Sequence, residues 1–491
     1  MSDAFSGKDT RMTVLQDTPP PARPAIPPRT RLLLEGPIVP TILQLAAPNL
    51  VLALVQIIVA TGDAFFIGAL GPAALAGVSL VFPVVMLMQT MSAGGMGGAV
   101  ASAVARTLGA GRRDDARALV VHAIVIALAS AALFTLVVVG GGRALYSALG
   151  GRGPALEAAV AYSNVVFGAA AAIWLFNMLA SVIRGTGYMA LPAAAMLGTG
   201  VVQLTLSPML IHGLAGFPRL GVAGAAVATV TAYGISAVVL LGYLLSGRSP
   251  ATPGWAHVHL RAPLLKDVLR VGAPGCLNNL LTNVTVVMLT GLVGPFGTFA
   301  LAGYGMGARL EYLQVPLVFG FGSVLIAMVG SNVGAGNHAR ARRVAWIGSS
   351  IAAACAEVIG LVVALAPGLW MRLFTTAPAV LDAGSRYLLI VGPCYGFYGL
   401  ALALFFSSQG AGRLLWPLLA SGVRLVVAAG GGWLLTRVLG WGIEGVYLAI
   451  ALSFVCNGTM LALAIRGGAW SPRRPRPVPA DDRQQSPAGA R

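Results

Sequence analysis

Long apolar stretches alternate with short polar connections along the whole chain, and this alternation sets the first expectation. A helix needs about 20 residues to cross a bilayer. Twelve stretches meet that length: residues 38–66, 74–98, 118–139, 158–183, 191–213, 222–245, 268–292, 302–329, 345–368, 387–408, 414–435 and 443–465. Runs this long exceed any ordinary strand, and in lipid the backbone must satisfy its own hydrogen bonds, so each is expected to be a membrane-spanning helix.

The pattern also repeats. Gly109-Ala110-Gly111 with Ala116-Arg117 returns as Gly334-Ala335-Gly336 with Ala341-Arg342, and Gly185-Thr186-Gly187 with Pro192 returns as Gly410-Ala411-Gly412 with Pro417, both displaced by 225 residues. Pro37 with Ala47-Pro48 returns as Pro263 with Ala273-Pro274, and Ala74 to Gly77 as Ala300 to Gly303, both displaced by 226. Four matches in order at nearly constant spacing make the chain a tandem repeat. Each unit holds an even number of spans, so both enter from the same side, and a pseudo-twofold axis along the membrane normal should relate them around a central cleft. The expected organisation is all-α and integral to the membrane, with twelve transmembrane helices in two pseudo-symmetric six-helix bundles. Residues 1–36 form a disordered proline-rich tail, 37–246 an N-lobe, 247–266 a linker, 267–466 a C-lobe and 467–491 a basic tail.

Composition sharpens the picture. Of 491 residues 57% are hydrophobic and 10% charged, far below the roughly 25% charged of a soluble domain. A net charge of +17 invites a nucleic-acid reading, but no folded basic domain carries it. The basic residues lie in connections and tails instead, 24 of the 32 on one side, six on the other and two, Arg309 and Arg424, within spans. By the lysine and arginine bias the richer side, with both tails and both Gly-Ala-Gly loops, is cytoplasmic. Cys276, Cys355, Cys394 and Cys456 lie singly in apolar segments and read as packing residues. No phosphate-binding G-x-x-x-x-G-K-[ST] loop is present, His257 and His259 have no neighbouring metal ligand, and Asp114-Asp115 is the only adjacent acid pair within the core. Neither an ATP motor nor an enzyme is expected.

At this point a family likeness can be stated on particular residues. Proline in the first span, Asp63 before Phe66-Ile67-Gly68, Leu75-Ala76-Gly77-Val78-Ser79-Leu80, the loop Leu108 to Gly111, Gly221 to Ala226, and Val329 to Gly336 together resemble a multidrug and toxin extrusion (MATE) transporter, of the MATE/flippase superfamily, over residues 35 to 465. The resemblance implies a V-shaped pair of bundles exporting organic, often cationic, compounds in exchange for protons or sodium ions. It also implies a monomer in a bacterial inner membrane with no bound cofactor beyond the coupling ion. The alternative within the superfamily is a flippase for a lipid-linked sugar, which would favour a strongly cationic central cavity and more spans.

Within the spans the acids are Asp63, Glu311 and Glu357, and a group that is costly to charge at membrane depth is a functional candidate. Asp63 lies roughly 37 Å along the first span at 1.5 Å per residue; the resemblance makes it the ion site of the N-lobe. The bland reading is a carboxylate at the membrane edge or one capping the turn at Gly62. Where related proteins carry a second acid before the fifth-span proline, this chain has Ser207 before Pro208, with Gln203 one turn earlier, and acids of the seventh and tenth spans are replaced near Thr282 or Asn283 and Tyr398. With oxygen ligands but one charge, the site favours protons over sodium. In the C-lobe, Arg309 and Glu311 resemble a charged pair that lines the lobe, or else an internal pair fixing helix packing; at i and i+2 they need not meet. Asn278, Asn279 and Asn283 make a polar stripe that suits a cavity wall or interhelical bonding. Trp174, Phe176, Tyr304, Tyr395, Phe397 and Tyr398 are candidates to stack on a flat cation in the cleft, or are packing.

Overall fold

The computed structural model describes residues 27–254 and 259–470, and every regular element among them is helical. The spans, numbered in chain order, are α1 (Ile38–Gly68), α2 (Pro72–Gly109), α3 (Arg113–Ala148), α4 (Gly153–Gly168 with Ala170–Gly185), α5 (Ala190–His212), α6 (Val222–Leu245), α7 (Ala262–Phe296), α8 (Thr298–Gly334), α9 (His338–Leu365), α10 (Pro378–Gly410), α11 (Leu415–Val438) and α12 (Gly442–Arg466). Ten are continuous helices long and apolar enough to cross a bilayer, and α4 makes an eleventh although it bends by 48° after Gly168. The twelfth, α1, is 31 residues long and apolar over Ile38–Leu52. The helices outrun the apolar windows of the sequence at most ends, because each continues into polar turns beyond the lipid. Internal breaks have local causes. Ser92-Ala93-Gly94-Gly95 sits in a π-helical turn, Met91–Met96, and Pro393 lies in a 3₁₀ turn, Gly392–Cys394.

Two expectations about the flanks change. The stretch 1–36 is not wholly irregular: a helix runs over Pro28–Glu35, opened by Pro28 where a proline costs nothing, and Leu33 and Leu34 are buried. The Asn332 amide donates to the Leu33 carbonyl at 3.1 Å and Arg340 donates to that of Gly36, docking this helix on α8 and α9. The linker ends at Arg261, since α7 begins at Ala262. Residues 1–26, 255–258 with His257, and 471–491 lie outside the described residues. Among those described, no group of three metal-ligating side chains occurs.

The repeat is visible in the packing. A Cβ on Gly77 of α2 would lie 2.7 Å from the Ala155 carbonyl of α4, and one on Gly303 of α8 would lie 2.9 Å from that of Val380 in α10. Gly185 packs in the same way on Ala101, and Gly410 on Ile326. These are equivalent contacts at the repeat offset, and in each the missing side chain lets two backbones approach. At the end that carries the Gly-Ala-Gly loops the lobes themselves meet. A Cβ on Gly109 would lie 2.0 Å from the Ser331 carbonyl, and one on Gly334 would lie 2.0 Å from that of Arg106. Ser331 is the repeat counterpart of Arg106, so α2 and α8 make one self-complementary contact across the pseudo-twofold axis. Around it Ser102 donates to the Gln409 and Gly410 carbonyls (2.5 and 3.0 Å), Gln409 donates to those of Gly94 and Gly95 (both 2.9 Å), and Arg106 pairs with Asp267 at 2.7 Å.

Each Gly-Ala-Gly loop is a helix cap. Gly111 and Gly336 have φ of +74° and +79°. Arg112 N–H returns to the Thr107 carbonyl at 2.9 Å and Asn337 N–H to that of Asn332 at 2.8 Å, closing the paired turns of a glycine-terminated helix. Gly111→Ala should cost about 1–2 kcal/mol, the penalty of a left-handed alanine, read as a lower unfolding temperature in detergent with transport retained.

Candidate functional site

The fifth and first spans build the N-lobe site. Gln203 and Ser207 stand one turn apart on the same face of α5. Glycines bring α1 against that face: a Cβ on Gly62 would lie 2.6 Å from the Leu204 side chain, and one on Gly200 would lie 2.7 Å from that of Val59. Asp63, half-buried, therefore meets both polar groups: the Gln203 amide donates to Oδ2, and the Ser207 hydroxyl donates to Oδ1 at 3.1 Å. Gln203 and Ser207 are buried. Tyr162 of α4 and Tyr233 of α6 belong to the same lobe interior. The carboxylate thus faces the lobe interior among neutral partners, rather than a loop edge.

A second layer of polar groups continues from Tyr233 toward the lobe interface. Gln89 donates to the Tyr233 hydroxyl at 2.9 Å, and Asn177 donates to Ser92 at 2.9 Å and to Gln89 at 3.3 Å. Sequence reading missed this group. Its signal is a glutamine and an asparagine in otherwise apolar spans, next to the π-helical turn that carries Ser92.

The C-lobe candidates separate. Glu311 accepts a hydrogen bond from the Tyr387 hydroxyl of α10. Arg309 is exposed, lies 5.5 Å from the Phe374 ring centroid, and makes no ion pair with Glu311 among the described residues. The asparagine stripe divides three ways. Asn278 is buried and accepts from Ser421, Asn279 donates across the lobe interface to the Thr90 carbonyl at 2.8 Å, and Asn283 returns to its own helix at the Asn279 carbonyl at 2.9 Å. The aromatic residues are core: Trp174, Phe176, Tyr304, Tyr395 and Tyr398 are buried inside their lobes, and Phe397 packs on Gly458. They do not form an open stacking wall.

Glu357 has a structural task. Its carboxylate accepts the Gly396 N–H at 2.6 Å, at the start of the helical segment Tyr395–Gly410, where a negative charge complements the helix dipole. Glu357→Gln should lower stability by about 1 kcal/mol and leave the transport rate unchanged, as measured by thermal unfolding beside an efflux assay.

Two lobes of six spans related by a repeat, with carboxylates held inside them, define a polytopic membrane transporter. The MatE family model matches residues 48–209 and 274–434, two stretches whose starts differ by the repeat offset, and the chain belongs to this family. It is similar to a FAD transporter of Shewanella oneidensis, 27% identical over 436 residues, covering 87% of this chain and 94% of that protein. A probable multidrug resistance protein NorM of Burkholderia mallei is 30% identical over 364 residues, 68% of this chain and 72% of the relative. Among solved structures, a MOP-superfamily transporter from Pyrococcus furiosus aligns with a TM-score of 0.84 over 91% of this chain and 99% of that one. An outward-facing multidrug resistance MATE transporter gives the same score over 91% and 100%. Both are 23% identical, so the likeness is one of fold. The chain is a multi-pass MATE-type efflux transporter, and members of this family are not enzymes.

Proposed function

We propose that this protein is a monomeric antiporter of the bacterial inner membrane that exports organic, drug-like cations as protons enter, with Asp63, Gln203 and Ser207 as the coupling unit. The observation that carries the reading is the donor arrangement at Asp63: both carboxylate oxygens receive hydrogen bonds from neutral side chains. Such a site holds a carboxylate without a metal and accepts a proton without rearranging a coordination shell. A hard cation asks for a shell of oxygen acceptors, and here the α5 groups present donors. The C-lobe polar residues Glu311, Arg309, Asn279, Asn283 and Tyr398 support the lobe and its interface rather than the coupling step. The arginine bias puts the clamped end, with both tails, in the cytoplasm; the lobes 37–246 and 267–466 then rock about the linker 247–266. A cysteine at Gly111 that reacts with an impermeant reagent added outside sealed cells would reverse this orientation.

The test is dye efflux in inverted vesicles, with a pH gradient and a sodium gradient imposed separately. Export driven by the pH gradient and indifferent to sodium is expected. Export driven by sodium alone would overturn the proton reading. A second cargo has one observation in its favour, the Shewanella oneidensis relative named for FAD. Competition of dye efflux by FAD inside the same assay would turn the substrate class from cations toward flavin nucleotides.

A further inference from the structure

The helix Pro28–Glu35 ahead of α1 touches both lobes. Thr30, Leu33 and Leu34 make its buried face, while Arg31, Leu32 and Glu35 are exposed. On the C-lobe side it is held by the donors from α8 and α9, Asn332 to the Leu33 carbonyl and Arg340 to that of Gly36. On the N-lobe side it meets the connection between α4 and α5. The Arg29 guanidinium lies 3.5 Å from the Tyr188 ring centroid, and Tyr188 in turn packs on Tyr243 of α6 with centroids 5.8 Å apart. A Cβ on Gly187 would lie 2.9 Å from Leu33 Cδ1, and Met189 is buried in the same cluster as Leu33, Val329 and Val344.

The repeat shows why a separate helix is needed here. Gly412, the counterpart of Gly187, is covered from the opposite lobe by Arg106 of α2: a Cβ on it would lie 3.0 Å from Arg106 Nη1. The counterpart of Arg106 is Ser331. Its side chain is too short to cover Gly187 in the same way, and Leu33 stands there instead. The N-terminal helix thus completes the half of the seam that α8 leaves open.

Its two sides are not equally fastened. The chain that follows the helix stays with the C-lobe. A Cβ on Gly348 of α9 would lie 3.2 Å from Ile42 Cδ1, and Asn49 donates to Ser323 of α8 at 3.0 Å. Against the N-lobe the helix is held by an exposed cation–π contact, one of the weaker attractions, and by the fit of Leu33 over Gly187. When the lobes part at this end, the break falls between the helix and residues 187–189.

We propose that Pro28–Glu35 is a strap carried by the C-lobe, which locks the clamped end by docking on residues 187–189 and leaves them in each transport cycle. The inference rests on the rocking of the lobes given above.

In the experiment the full-length Arg29→Cys/Tyr188→Cys protein in inverted vesicles is joined by a short, reducible bis-thiosulfonate reagent, with the link located by mass spectrometry. Dye efflux is expected to fall to background on cross-linking and to return on reduction. Each single-cysteine variant, treated alike, should export as it did before treatment. Efflux that continues through a complete cross-link overturns the proposal. Leu33→Asp gives the converse, because it sets a charge over Gly187. Ala105→Cys, buried against Gly330 of the other lobe, should then react with a maleimide at rest faster than in the native background, and equal protection overturns the strap as a lock. Should Leu33→Asp not be recovered folded, Tyr188→Ala removes the N-lobe contact alone and is read in the same way. The rocking has its own readout: Ala105→Cys in the otherwise native chain should react faster during gradient-driven turnover than at rest. No such change would overturn the rocking and the strap with it. A change that persists in the cross-linked protein would overturn the strap alone.

Discussion

Asp63→Asn is expected to abolish export driven by a pH gradient while leaving the protein inserted and able to bind its substrate. An ionised side chain at membrane depth costs about 3 kcal/mol, and hydrogen bonds to a charged group return roughly 1.5–3 kcal/mol each. Asp63 accepts two, from Gln203 and Ser207. Cost and compensation are of the same size, so the ionised and protonated forms of the site lie close in free energy, and a modest rearrangement of α1 against α5 tips the balance. A substrate that binds only one packing of the lobe then competes with the proton through a shared two-state equilibrium. Asparagine fits the same space and keeps a hydrogen-bonding side chain, but it cannot gain or lose the proton. The check is paired: substrate binding by fluorescence titration of purified protein, and efflux in inverted vesicles. Normal gradient-dependent efflux by Asp63→Asn would reduce Asp63 to a structural acid. Ser207→Ala should give an intermediate result, with export retained and its pH profile displaced, because one of the two compensating bonds is lost.

How much of this was readable beforehand depends on whether a feature is local or spatial. The spans were legible because each is a single apolar run, and the repeat because its glycines recur at one offset. Gln203 and Ser207 share a helix face by spacing alone, but their meeting with Asp63, 140 and 144 residues earlier, follows from the packing of α1 on α5, which the family likeness supplied. Tyr387 as the partner of Glu311 carried no local signal, and the neighbouring tyrosines read as equally good stacking groups until their burial placed them in the core. Arg424 was visible as a charge within a span, yet nothing in the sequence says which face of α11 it occupies or that Tyr398 and Phe454 flank it. Pro28–Glu35 was masked by the prolines around it, although a proline at the first helical position is a start signal rather than a break.

The largest conformational effect is expected at the glycine pair on the pseudo-twofold axis. Gly109→Val and Gly334→Val each add atoms where a bare Cβ would already sit 2.0 Å from a backbone carbonyl of the opposite lobe. Each carbonyl lies in the last turn of its helix and accepts a capping N–H, that of Ala335 on Ser331 and that of Ala110 on Arg106 (both 3.0 Å), so it cannot swing aside as a side chain does, and the main relief is to part α2 from α8. Each lobe keeps its own core, because the equivalent intra-lobe contacts, Gly77 on Ala155 and Gly303 on Val380, are untouched. The variant should therefore be folded and inserted but unable to clamp this end shut, and transport, which needs both ends to open and close in turn, should fall to background. Removing the Arg106–Asp267 pair is a weaker perturbation of the same closure. Asp267 is 45% exposed, and a pair this wet contributes about 1 kcal/mol or less, so Asp267→Asn should slow export without stopping it. Accessibility separates closure from general damage. Ala105, fully buried against Gly330 of the other lobe, is replaced by cysteine and treated with a maleimide from the side of the Gly-Ala-Gly loops. In the native background this cysteine should react slowly and in Gly334→Val rapidly. Equal protection in both would show that the lobes still close over the added side chain, and the glycine pair would then be a packing detail of the helices rather than the contact that seals the transporter.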